Sequence, residues 1–472
     1  MILKNIRTVL SVFILLFLPP LAIAWDTGEK PRIIVLTDIE NEPDDAQSLV
    51  RFLTYSNHFD VEGIIATTSV WLRDRTAEWR IHEILESYKE VQPRLLKHEP
   101  GYPPYGELRD ITKVGLPVYG MKGVGEGKDS EGSDWIIKAL KKDDPRPLWV
   151  LAWGGPNCLA QALWKLKHTE APEDLQRYVK KLRVYTISDQ DDSGPWMRKT
   201  FPGLFYICTP GYAHNGREGY HFATWSGISG DTFHGRFPGG NREVISKEWL
   251  RKNIQENHGP LGEEYPDVAY LMEGDTPSFL YLINNGLGNP EHPDYGSWGG
   301  RYELYTPKTE LYFFEPETRA LWTNAADEVY SETDKQNHTG NHATIWRWRE
   351  AYQNDFASRM DWCILSFDKA NHPPVPVLAH ASVLEVKEGE NVELKAGVCQ
   401  DPDGDELSYQ WIYYREAGNS VYWLDMDNPD SAEASFTAPS MGQPQEMHFI
   451  LAVKDNGNPS LTRYKRVIVK VR

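Results

Sequence analysis

Five carboxylates stand within eight residues near the beginning of the chain, in the stretch Thr37–Asp45. They are Asp38, Glu40, Glu42, Asp44 and Asp45. So many negative charges in one turn cost free energy unless a cation neutralises them, and carboxylate oxygens suit Ca²⁺ or Mg²⁺ better than Zn²⁺. The stretch therefore predicts a site for a hard divalent cation. The alternative is a helix N-cap, which needs one carboxylate and gains nothing from Asp38 or Glu40.

Two further acidic turns follow apolar stretches later in the chain. Asp275 comes after Val268–Met272, although it could equally cap a helix. The turn at Ser188–Asp192 follows Leu182–Ile187, and an ordinary polar loop is the alternative there. Its polar side chains include Asp189, Gln190, Asp191 and Asp192. Carboxylates that reach one sheet edge from separate strand ends are what a shared cation requires, so these turns favour the cation site.

Six short apolar stretches, each followed by polar or glycine residues, must position these groups. They are Arg32–Leu36, Val61–Ala66, Leu148–Ala152, Leu182–Ile187, Leu204–Ile207 and Val268–Met272. Helical periodicity appears at Ala46–Tyr55 and Leu159–Leu166. The alternation predicts an α/β domain with a mostly parallel open sheet and helices on both faces. Ligands of such sheets bind outside the carboxyl ends of the strands, which is where the acidic and amide residues fall.

The composition divides the chain into three regions. Residues 1–24 combine Lys4 and Arg7 with an apolar stretch and small residues before Ala24, as in a secretory signal peptide. Residues 25–370 carry the α/β pattern, with long loops at 285–340 and a long helix at Ala343–Leu365. Prolines mark a linker, and residues 371–472 contain period-two stretches typical of an immunoglobulin-like β-sandwich. These stretches are Ser382–Val386, Asn391–Lys395, Leu407–Tyr414, His448–Val453 and Tyr464–Val471.

The chain of 472 residues has a net charge of −18, from 68 acidic and 50 basic residues. This charge argues against nucleic-acid binding and against binding to an anionic membrane surface. The four cysteines are isolated from one another, which argues against a disulfide scaffold and a structural zinc site. The signal peptide predicts a secreted or periplasmic protein. The 17 Trp and 24 Tyr residues suit a carbohydrate partner, but they suit large apolar cores equally well. The sequence leaves open whether the protein forms a homo-oligomer.

The order RIIVLTD, DDAQSL, LAWGGPNCLAQAL and MEGDTPSFL resembles the fingerprint of the inosine-uridine-preferring nucleoside hydrolases. In those enzymes a strand ends in Asp, an Asp-Asp pair opens a helix, a Gly-Pro loop precedes another helix, and an Asp comes late. Nearly the whole mature chain more closely resembles a secreted bacterial family. That family is often labelled cellulose-binding and joins a nucleoside-hydrolase-like domain to a C-terminal sandwich.

The resemblance implies a calcium site and a hydrolytic mechanism. Asp38, Asp45 and Asp275 would ligate Ca²⁺, together with a backbone carbonyl near Cys158. Asp44 would hold a sugar hydroxyl, and Asp38 would act as general base towards a water held by the ion. Carboxylates around this water also stabilise an oxocarbenium-like transition state. Inversion at the anomeric carbon is expected, because no protein nucleophile is evident.

The sequence departs from the nucleoside hydrolases in two places. Asp38 and Asp44 are six residues apart, where those enzymes space the corresponding residues more closely. Gly274 precedes Asp275, where those enzymes commonly have a His that assists the leaving base. We therefore expect a secreted calcium-dependent glycoside hydrolase acting on a glycan or oligosaccharide. The alternative is a non-catalytic polysaccharide-binding protein on a degenerate scaffold. A metal phosphohydrolase is disfavoured, because no Lys or Arg accompanies the acidic turn.

Other residues are candidates for further contacts. Contacts with the sugar are expected from Asn157, Gln190, Asp191, Asp192, Trp71 and Trp196. Asn157 could instead cap a helix, and either tryptophan could belong to the core. In the C-terminal region, Asp401, Asp403 and Asp405 alternate like the first half of a calcium loop. The second half of such a loop is missing, and a plain turn is the alternative.

Overall fold

The computed structural model describes residues 29–209, 221–235, 237–305, 311–312, 316–317, 319–420, 422–440 and 442–472. The predicted signal peptide, residues 1–24, lies outside the described residues. Among the described residues, no helix has both the length and the apolar composition that crossing a membrane requires.

A mostly parallel sheet forms the centre of the first domain, as predicted. Its strands are β1 (Arg32–Thr37), β2 (Asp60–Ala66), β3 (Thr112–Val114), β4 (Leu148–Ala152), β5 (Leu182–Thr186), β6 (Phe205–Cys208), β7 (Tyr302–Tyr305) and β10 (Leu321–Asn324). Their order is β3-β2-β1-β4-β5-β6-β10-β7. Strand β10 runs parallel to β6, and β7 closes this edge as an antiparallel strand. Two-residue strands β8 (Leu311–Tyr312) and β9 (Pro316–Glu317) pair separately.

Helices cover both faces of this sheet. They are α1 (Pro43–Thr54), α2 (Glu78–His98), α3 (Tyr105–Ile111), α4 (Glu131–Lys141), α5 (Asn157–Thr169), α6 (Pro172–Lys181) and α7 (Ser193–Thr200). Side chains of β1 alternate between two core layers: Ile33 and Val35 pack on the layer that includes α1, and Ile34 and Leu36 on the layer that includes α5. A strand buried on both faces requires an unbroken apolar sequence, which β1 has.

The stretch Val268–Met272 was predicted as a strand, and this prediction is wrong. The stretch is irregular, with Val268, Leu271 and Met272 buried but Ala269 and Tyr270 exposed. Its backbone groups bond outside the sheet: the N–H of Met272 donates to Ser229 Oγ at 3.1 Å. A short apolar run looks the same whether it is a strand or a buried loop. The place beside β6 belongs instead to β10, from the region predicted as loops.

Short helices lie between β6 and β7. They are α8 (Gly230–Phe233), α9 (Lys247–Leu250), α10 (Gly259–Glu263) and α11 (Pro277–Leu280).

The helix predicted at Ala343–Leu365 is two helices in the structure. Helix α12 (Ala343–Trp346) ends where Arg347 donates to Asp327 Oδ2 at 2.9 Å and lies over the Tyr414 ring. Helix α13 (Arg349–Trp362) then begins. A buried tertiary ion pair therefore overrides the continuous helical pattern. Asp327 opens a hairpin of β11 (Asp327–Ser331) and β12 (Gln336–Gly340).

The C-terminal region is all β, as predicted. Its strands are β13 (Val383–Val386), β14 (Asn391–Lys395), β15 (Ser408–Tyr413), β16 (Glu433–Thr437), β17 (Gln445–Lys454) and β18 (Thr462–Val471). They form a four-stranded sheet, β13-β18-β17-β15, and a β14–β16 pair. The two layers enclose a separate core that includes Leu394, Trp411 and Phe449. The sequence pattern missed only β16 among these strands.

Buried polar contacts join the two parts of the molecule. Asp355 of α13 receives hydrogen bonds from Tyr55 at 2.7 Å and from Arg463 of β18 at 2.6 Å. Arg359 binds the same carboxylate at 3.1 Å. The two arginines and the tyrosine thus pair with a carboxylate that solvent barely reaches. Without these partners, burial of the Asp355 charge would cost several kcal/mol of folding free energy, on the order expected for an unpaired buried ion.

We expect Asp355→Asn to lower the free energy of unfolding by about 3 kcal/mol, because the two buried arginines lose their shared counter-charge. Urea unfolding followed by circular dichroism measures this change. The exposed Asp425 on the sandwich provides the matched control Asp425→Asn, which should stay within about 0.5 kcal/mol of the wild type. Equal losses for the two variants would contradict the predicted role of Asp355.

Candidate metal and substrate site

The acidic turn joins β1 to α1 at the carboxyl end of the central strand. Asp38 follows β1 directly, and Asp44 and Asp45 occupy the first turn of α1. The helix N-terminus favours carboxylates there. Glu40 takes a left-handed backbone conformation, with φ of 71°, and its Oε1 lies 3.3 Å from Arg80 Nε. Glu40 is therefore paired on the outer side of the turn.

Three carboxylates from two distant segments converge at this strand end. One oxygen each of Asp44, Asp45 and Asp275 lies within 4.8 Å of the others. Asp45 accepts a hydrogen bond from the Thr37 hydroxyl. Asp275 is 3% exposed, and its Oδ2 is buried without a hydrogen-bond partner among the described residues. The predicted convergence of the first and last acidic turns is thus present in the structure.

Asp38 lies next to this group but is held separately. It accepts a hydrogen bond from the Ser69 side chain. A Cβ atom at Gly154 would come within 2.6 Å of Asp38 Oδ1, so the glycine leaves room for the carboxylate. Asp38 is not among the three carboxylates whose oxygens share the 4.8 Å cluster, whereas Asp44 is. The cluster thus contains Asp44 in addition to the expected Asp45 and Asp275, and ligation of an ion by Asp38 stays a prediction.

A buried ion pair fixes the late turn against α1. Glu273 has a left-handed φ of 52°, which is unusual for a residue with a side chain. Its carboxylate accepts hydrogen bonds from Arg51 Nη1 at 2.6 Å and from the Tyr265 hydroxyl at 2.7 Å. Its backbone N–H donates to Gln47 Oε1 at 3.0 Å. Because Gln47 and Arg51 belong to α1, both acidic segments are held on one rigid frame.

The next residue, Gly274, leaves space for Asp44. The Gly274 backbone N–H donates to the Asp44 carboxylate, and a Cβ at this position would lie 2.7 Å from Asp44 Oδ2. The same Cβ would be 3.1 Å from the ring of Trp225. A larger residue here would displace either the carboxylate or the indole. Close packing therefore explains why a glycine occupies position 274. Trp225 also lines the site, which the sequence did not indicate.

Burial raises the pKa of Asp38, Asp44, Asp45 and Asp275, and repulsion from neighbouring carboxylates adds to the shift in the last three. Burial, followed by the charges of Glu42 and Asp38, raises the pKa of Asp44 to about 8. Burial raises the pKa of Asp45 and Asp275 well above the usual range, and the neighbouring Asp charges add to this shift. Burial likewise raises the pKa of Asp38. Ionisation of these groups is therefore unfavourable in the protein alone. A bound divalent cation would favour the ionised forms.

The geometry fits a hard cation. Oxygens bound to one Ca²⁺ lie about 2.3–2.6 Å from it, so oxygens on one ion are separated by distances of the kind seen here. The ligand chemistry is all oxygen and strongly anionic, which matches Ca²⁺ or Mg²⁺ rather than a soft metal. Asp275 Oδ2 has an open lone pair for such an ion.

Comparison with known proteins agrees with this fold. The family model described as cellulose-binding Sde182, nucleoside hydrolase-like domain, matches residues 32–302. The model for the C-terminal domain of cellulose-binding protein Sde0182 matches residues 391–471. The chain belongs to the Sde182 family. This confirms the resemblance to a cellulose-binding family with a nucleoside-hydrolase-like domain.

A solved relative extends the Sde182-family match over the whole fold. It is a nucleoside hydrolase-related hypothetical protein from Saccharophagus degradans that is associated with carbohydrate metabolism. The two are 36% identical, the match covers 94% of this chain and 100% of that one, and the TM-score is 0.78. No curated protein matches the chain.

Two weaker structural matches are too distant to bear on function. The effector protein XOO4466 is 10% identical over 71% of this chain and 95% of its own, with a TM-score of 0.32. The PKD domain from KIAA 1837 protein is 22% identical over 20% of this chain and 86% of its own, with a TM-score of 0.16.

Several predicted sugar contacts of this Sde182-family chain are engaged with the protein itself. The Asn157 amide donates to Val118 O at 2.7 Å and to Thr68 Oγ1 at 3.2 Å. Asp192 Oδ1 accepts the Met121 N–H at 2.7 Å. The Gln190 amide donates to Trp153 O at 2.6 Å. These contacts fix the loops at the strand ends, which gives Asn157, Asp192 and Gln190 a positioning role.

Asp191 differs from these residues. It is fully buried, and its Oδ1 accepts the Ser193 N–H at 2.8 Å, whereas its Oδ2 is without a hydrogen-bond partner among the described residues. A Cβ at Gly155 would lie 2.5 Å from this Oδ2. Burial raises the pKa of Asp191 to about 7. The side chain therefore lies next to the Gly-Pro loop, and its contact with a sugar stays a prediction.

The two predicted tryptophans lie in different surroundings. Trp71 is 43% exposed, and its backbone N–H donates to Ser69 Oγ at 3.0 Å. Since Ser69 also binds Asp38, Trp71 stands on the loop that borders the acidic group. Trp196 is partly buried, packs on a core layer and meets Phe201 edge-on with ring centroids 6.0 Å apart. Packing on the core accounts for the position of Trp196, and its contact with a sugar stays a prediction.

We expect the metal-free protein to lose stability as pH rises. The Asp44 pKa is about 8 in the fold against an ordinary 3.8, so the folded protein binds more protons than the unfolded chain between those values. Under that condition the free energy of unfolding falls with rising pH. Thermal unfolding in EDTA should therefore give a lower midpoint at pH 8 than at pH 5.5. Asp44→Asn should flatten this slope, and calcium should restore stability at pH 8.

Three outcomes would contradict this linkage. The midpoint in EDTA could be constant or rise over the range, the slope could be unchanged in Asp44→Asn, or calcium could have no effect at pH 8. Glu40→Gln is the matched control, because it removes an acidic charge from the same turn but one that pairs with Arg80 on the outside. This variant should retain the slope of the wild type.

Proposed function

We propose that this protein is a secreted or periplasmic calcium-dependent glycoside hydrolase that acts on a glycan or oligosaccharide. The observation that carries the proposal is the convergence of Asp44, Asp45 and Asp275 beside Asp38 at the carboxyl end of β1. The localisation rests on the signal-peptide pattern of residues 1–24. Membership of a family with a nucleoside-hydrolase-like domain supports chemistry at a glycosyl bond.

Asp44, Asp45 and Asp275 are the residues that would hold the ion. Calcium bound there would orient neighbouring sugar hydroxyls and make a nearby water more acidic. The open oxygen of Asp275 and the raised pKa values of all three groups support this assignment. The arrangement is held by α1 and by the turn that Glu273 and Arg51 fix.

Asp38 is the proposed general base. It is 3% exposed, and its carboxylate accepts a hydrogen bond from Ser69. A base must stand within hydrogen-bond reach of the proton that it removes, and Asp38 borders the three carboxylates that would hold the ion. The acidic surroundings also stabilise positive charge developing on the sugar ring. Attack by water from one side would invert the anomeric configuration.

Gly274 bears on the substrate class. Nucleoside hydrolases commonly place a His before the late Asp, and this chain has Gly274, whose position is crowded by Asp44 and Trp225. No acid for a purine leaving group comes from that position. A glycoside or oligosaccharide therefore fits better than a purine nucleoside, in keeping with the relative that is associated with carbohydrate metabolism.

The hydrolase proposal is tested by reducing-sugar release from a panel of glycans. We expect Asp38→Asn to reduce turnover by about 10²–10⁴-fold, as for a general base, and Asp44→Asn to reduce it by a similar factor. EDTA should abolish activity, and calcium should restore it. Glu40→Gln should keep the wild-type rate, because Glu40 pairs with Arg80.

The result that would overturn the hydrolase is binding without turnover. If the wild type retains polysaccharide but releases no sugar from any glycan, with or without calcium, only the binding function survives. Product analysis by NMR adds a second check, since a product that keeps the anomeric configuration would contradict direct attack by water.

A second candidate function is non-catalytic binding of a polysaccharide such as cellulose. The exposed Trp71 on the border of the acidic group and the family description favour it. An exposed indole offers a flat apolar face to a sugar ring. In this case the cation would hold sugar hydroxyls without hydrolysis.

We expect Trp71→Ala to weaken retention on a soluble cellulose derivative by about tenfold, the order of one aromatic contact. Affinity electrophoresis measures the retention. Trp79 is 52% exposed at the start of α2, so Trp79→Ala is the matched control and should bind normally. Equal retention of Trp71→Ala and the wild type would remove Trp71 from the binding surface.

A further inference from the structure

A second group of carboxylates lies at the joint between the α/β domain and the β-sandwich. One oxygen each of Asp401, Asp403 and Asp405 lies within 4.8 Å of the others. Asp401 Oδ1 accepts the N–H groups of Asp403 at 2.9 Å and Asp405 at 3.1 Å. Gly404, with φ of 82°, lets the chain turn inside this loop. An acidic turn of this kind occurs in proteins without a ligand.

Asp455 supplies the independent observation. It is 3% exposed and comes from the loop after β17. Its Oδ1 accepts the N–H groups of Gly457 at 3.0 Å and Leu461 at 2.9 Å. Its Oδ2, like Asp401 Oδ2, is buried and unpaired among the described residues. A buried carboxylate oxygen without a partner costs free energy unless a cation or proton meets it.

The two loops face each other. Glu406, next to Asp405, donates its N–H to Asn456 Oδ1 at 3.0 Å, and Asn456 is next to Asp455. The negative charge of Asp401 is near enough to raise the pKa of Asp455, in addition to the larger effect of burial. Asp455, with its unpaired oxygen, thus lies beside the Asp401–Asp405 loop and within reach of its negative charge.

We propose that Asp401, Asp403, Asp405 and Asp455 bind a divalent cation, with the oxygen chemistry of calcium, where the linker enters the β-sandwich. Four carboxylates from two loops supply more negative charge than the neighbouring protein groups neutralise. The set contains oxygen ligands only, which suits a hard ion. This site is separate from the one at the end of β1 and does not depend on the proposed hydrolase.

The cation would be structural, because the ligands also hold the linker. The backbone N–H of His372 donates to Asp403 Oδ2 at 2.7 Å, and the Asn371 amide donates to Asp455 Oδ1 at 3.1 Å. The Asn371 carbonyl accepts hydrogen bonds from Ser358 at 2.7 Å and Trp362 at 2.9 Å on α13. An ion that fixes Asp403 and Asp455 would therefore fix the sandwich against the α/β domain.

The His372 ring continues this connection into the α/β domain. It stacks on Phe367 with ring centroids 3.8 Å apart and on Trp362 at 5.2 Å. Its Nε2 lies 2.9 Å from His98 Nδ1 on α2. Its Nδ1 lies 3.0 Å from Asp403 Oδ1. The carboxylate that faces the proposed ion thus contacts the same histidine that packs against α2 and α13.

Calcium titration of the full chain tests the site, with isothermal calorimetry giving the stoichiometry. Asp275→Asn removes the ion site at β1, so the calcium that this variant still binds reports the second site. Adding Asp405→Asn should weaken that remaining binding by about tenfold or more. The Asp405 carboxylate forms no hydrogen bond within the described part of the chain, so this variant should fold. Asp430→Asn, at an exposed position of the sandwich, is the matched control and should bind normally.

Thermal unfolding gives a second measurement. Calcium should raise the midpoint of Asp275→Asn, and this increase should be lost when Asp405→Asn is added but kept with Asp430→Asn. The proposal is overturned if Asp275→Asn binds no calcium, or if adding Asp405→Asn changes neither the stoichiometry nor the affinity. Failure at the β1 site alone would appear as a wild type that binds one ion, lost with Asp405→Asn and unaffected by Asp275→Asn.

Discussion

Burial of several carboxylates at the end of β1 constrains how the surrounding elements pack. Asp38, Asp45 and Asp275 are almost inaccessible to solvent, and the neighbouring carboxylates raise the pKa of Asp45 and Asp275 further. A fold would not retain such a cluster for stability alone, because the charges oppose burial. The frame that holds them has to supply the compensating contacts. Thr37, Ser69 and the Gly274 N–H supply part of this compensation.

The strongest element of that frame is the ion pair between Arg51 and Glu273. Arg51 is fully buried in α1, and it also donates to Gln353 Oε1 at 2.9 Å on α13. One guanidinium thus links the helix that carries Asp44 and Asp45, the turn that carries Asp275, and the helix that contacts the sandwich. The left-handed Glu273 is held in place by this network. Positioning of the acidic group and packing of the domains therefore rest on the same buried contacts.

The joint between the domains has the same character as the candidate site. Asp355, Asp403 and Asp455 are acidic groups placed between elements that are distant in sequence. Asp355 has arginine partners, whereas Asp455 keeps an unpaired oxygen. Arginine side chains neutralise the Asp355 carboxylate, so this part of the joint needs no bound ion. Among the residues that the structure describes, Asp455 has no such arginine contact at its unpaired oxygen, and a bound cation could neutralise it.

The fold class and most of the elements around the site are predictable from local sequence patterns. The apolar stretches that became β1, β2, β4, β5 and β6 are readable because burial on both faces demands unbroken β-branched and apolar residues. The acidic turn was readable because charge density is a local property. Period-two patterning likewise revealed most strands of the sandwich.

Which residues meet follows from the three-dimensional packing alone. The structure showed that Val268–Met272 is an irregular, partly exposed segment, that β10 takes the place beside β6, and that Asp44 joins Asp45 and Asp275. It also assigned packing to Trp196, and it brought in Trp225 and the Arg51–Glu273 pair. The acidic cluster, the Arg51–Glu273 pair and the β6–β10 pairing depend on contacts between residues more than a hundred positions apart. Local sequence patterns carry no information about such contacts.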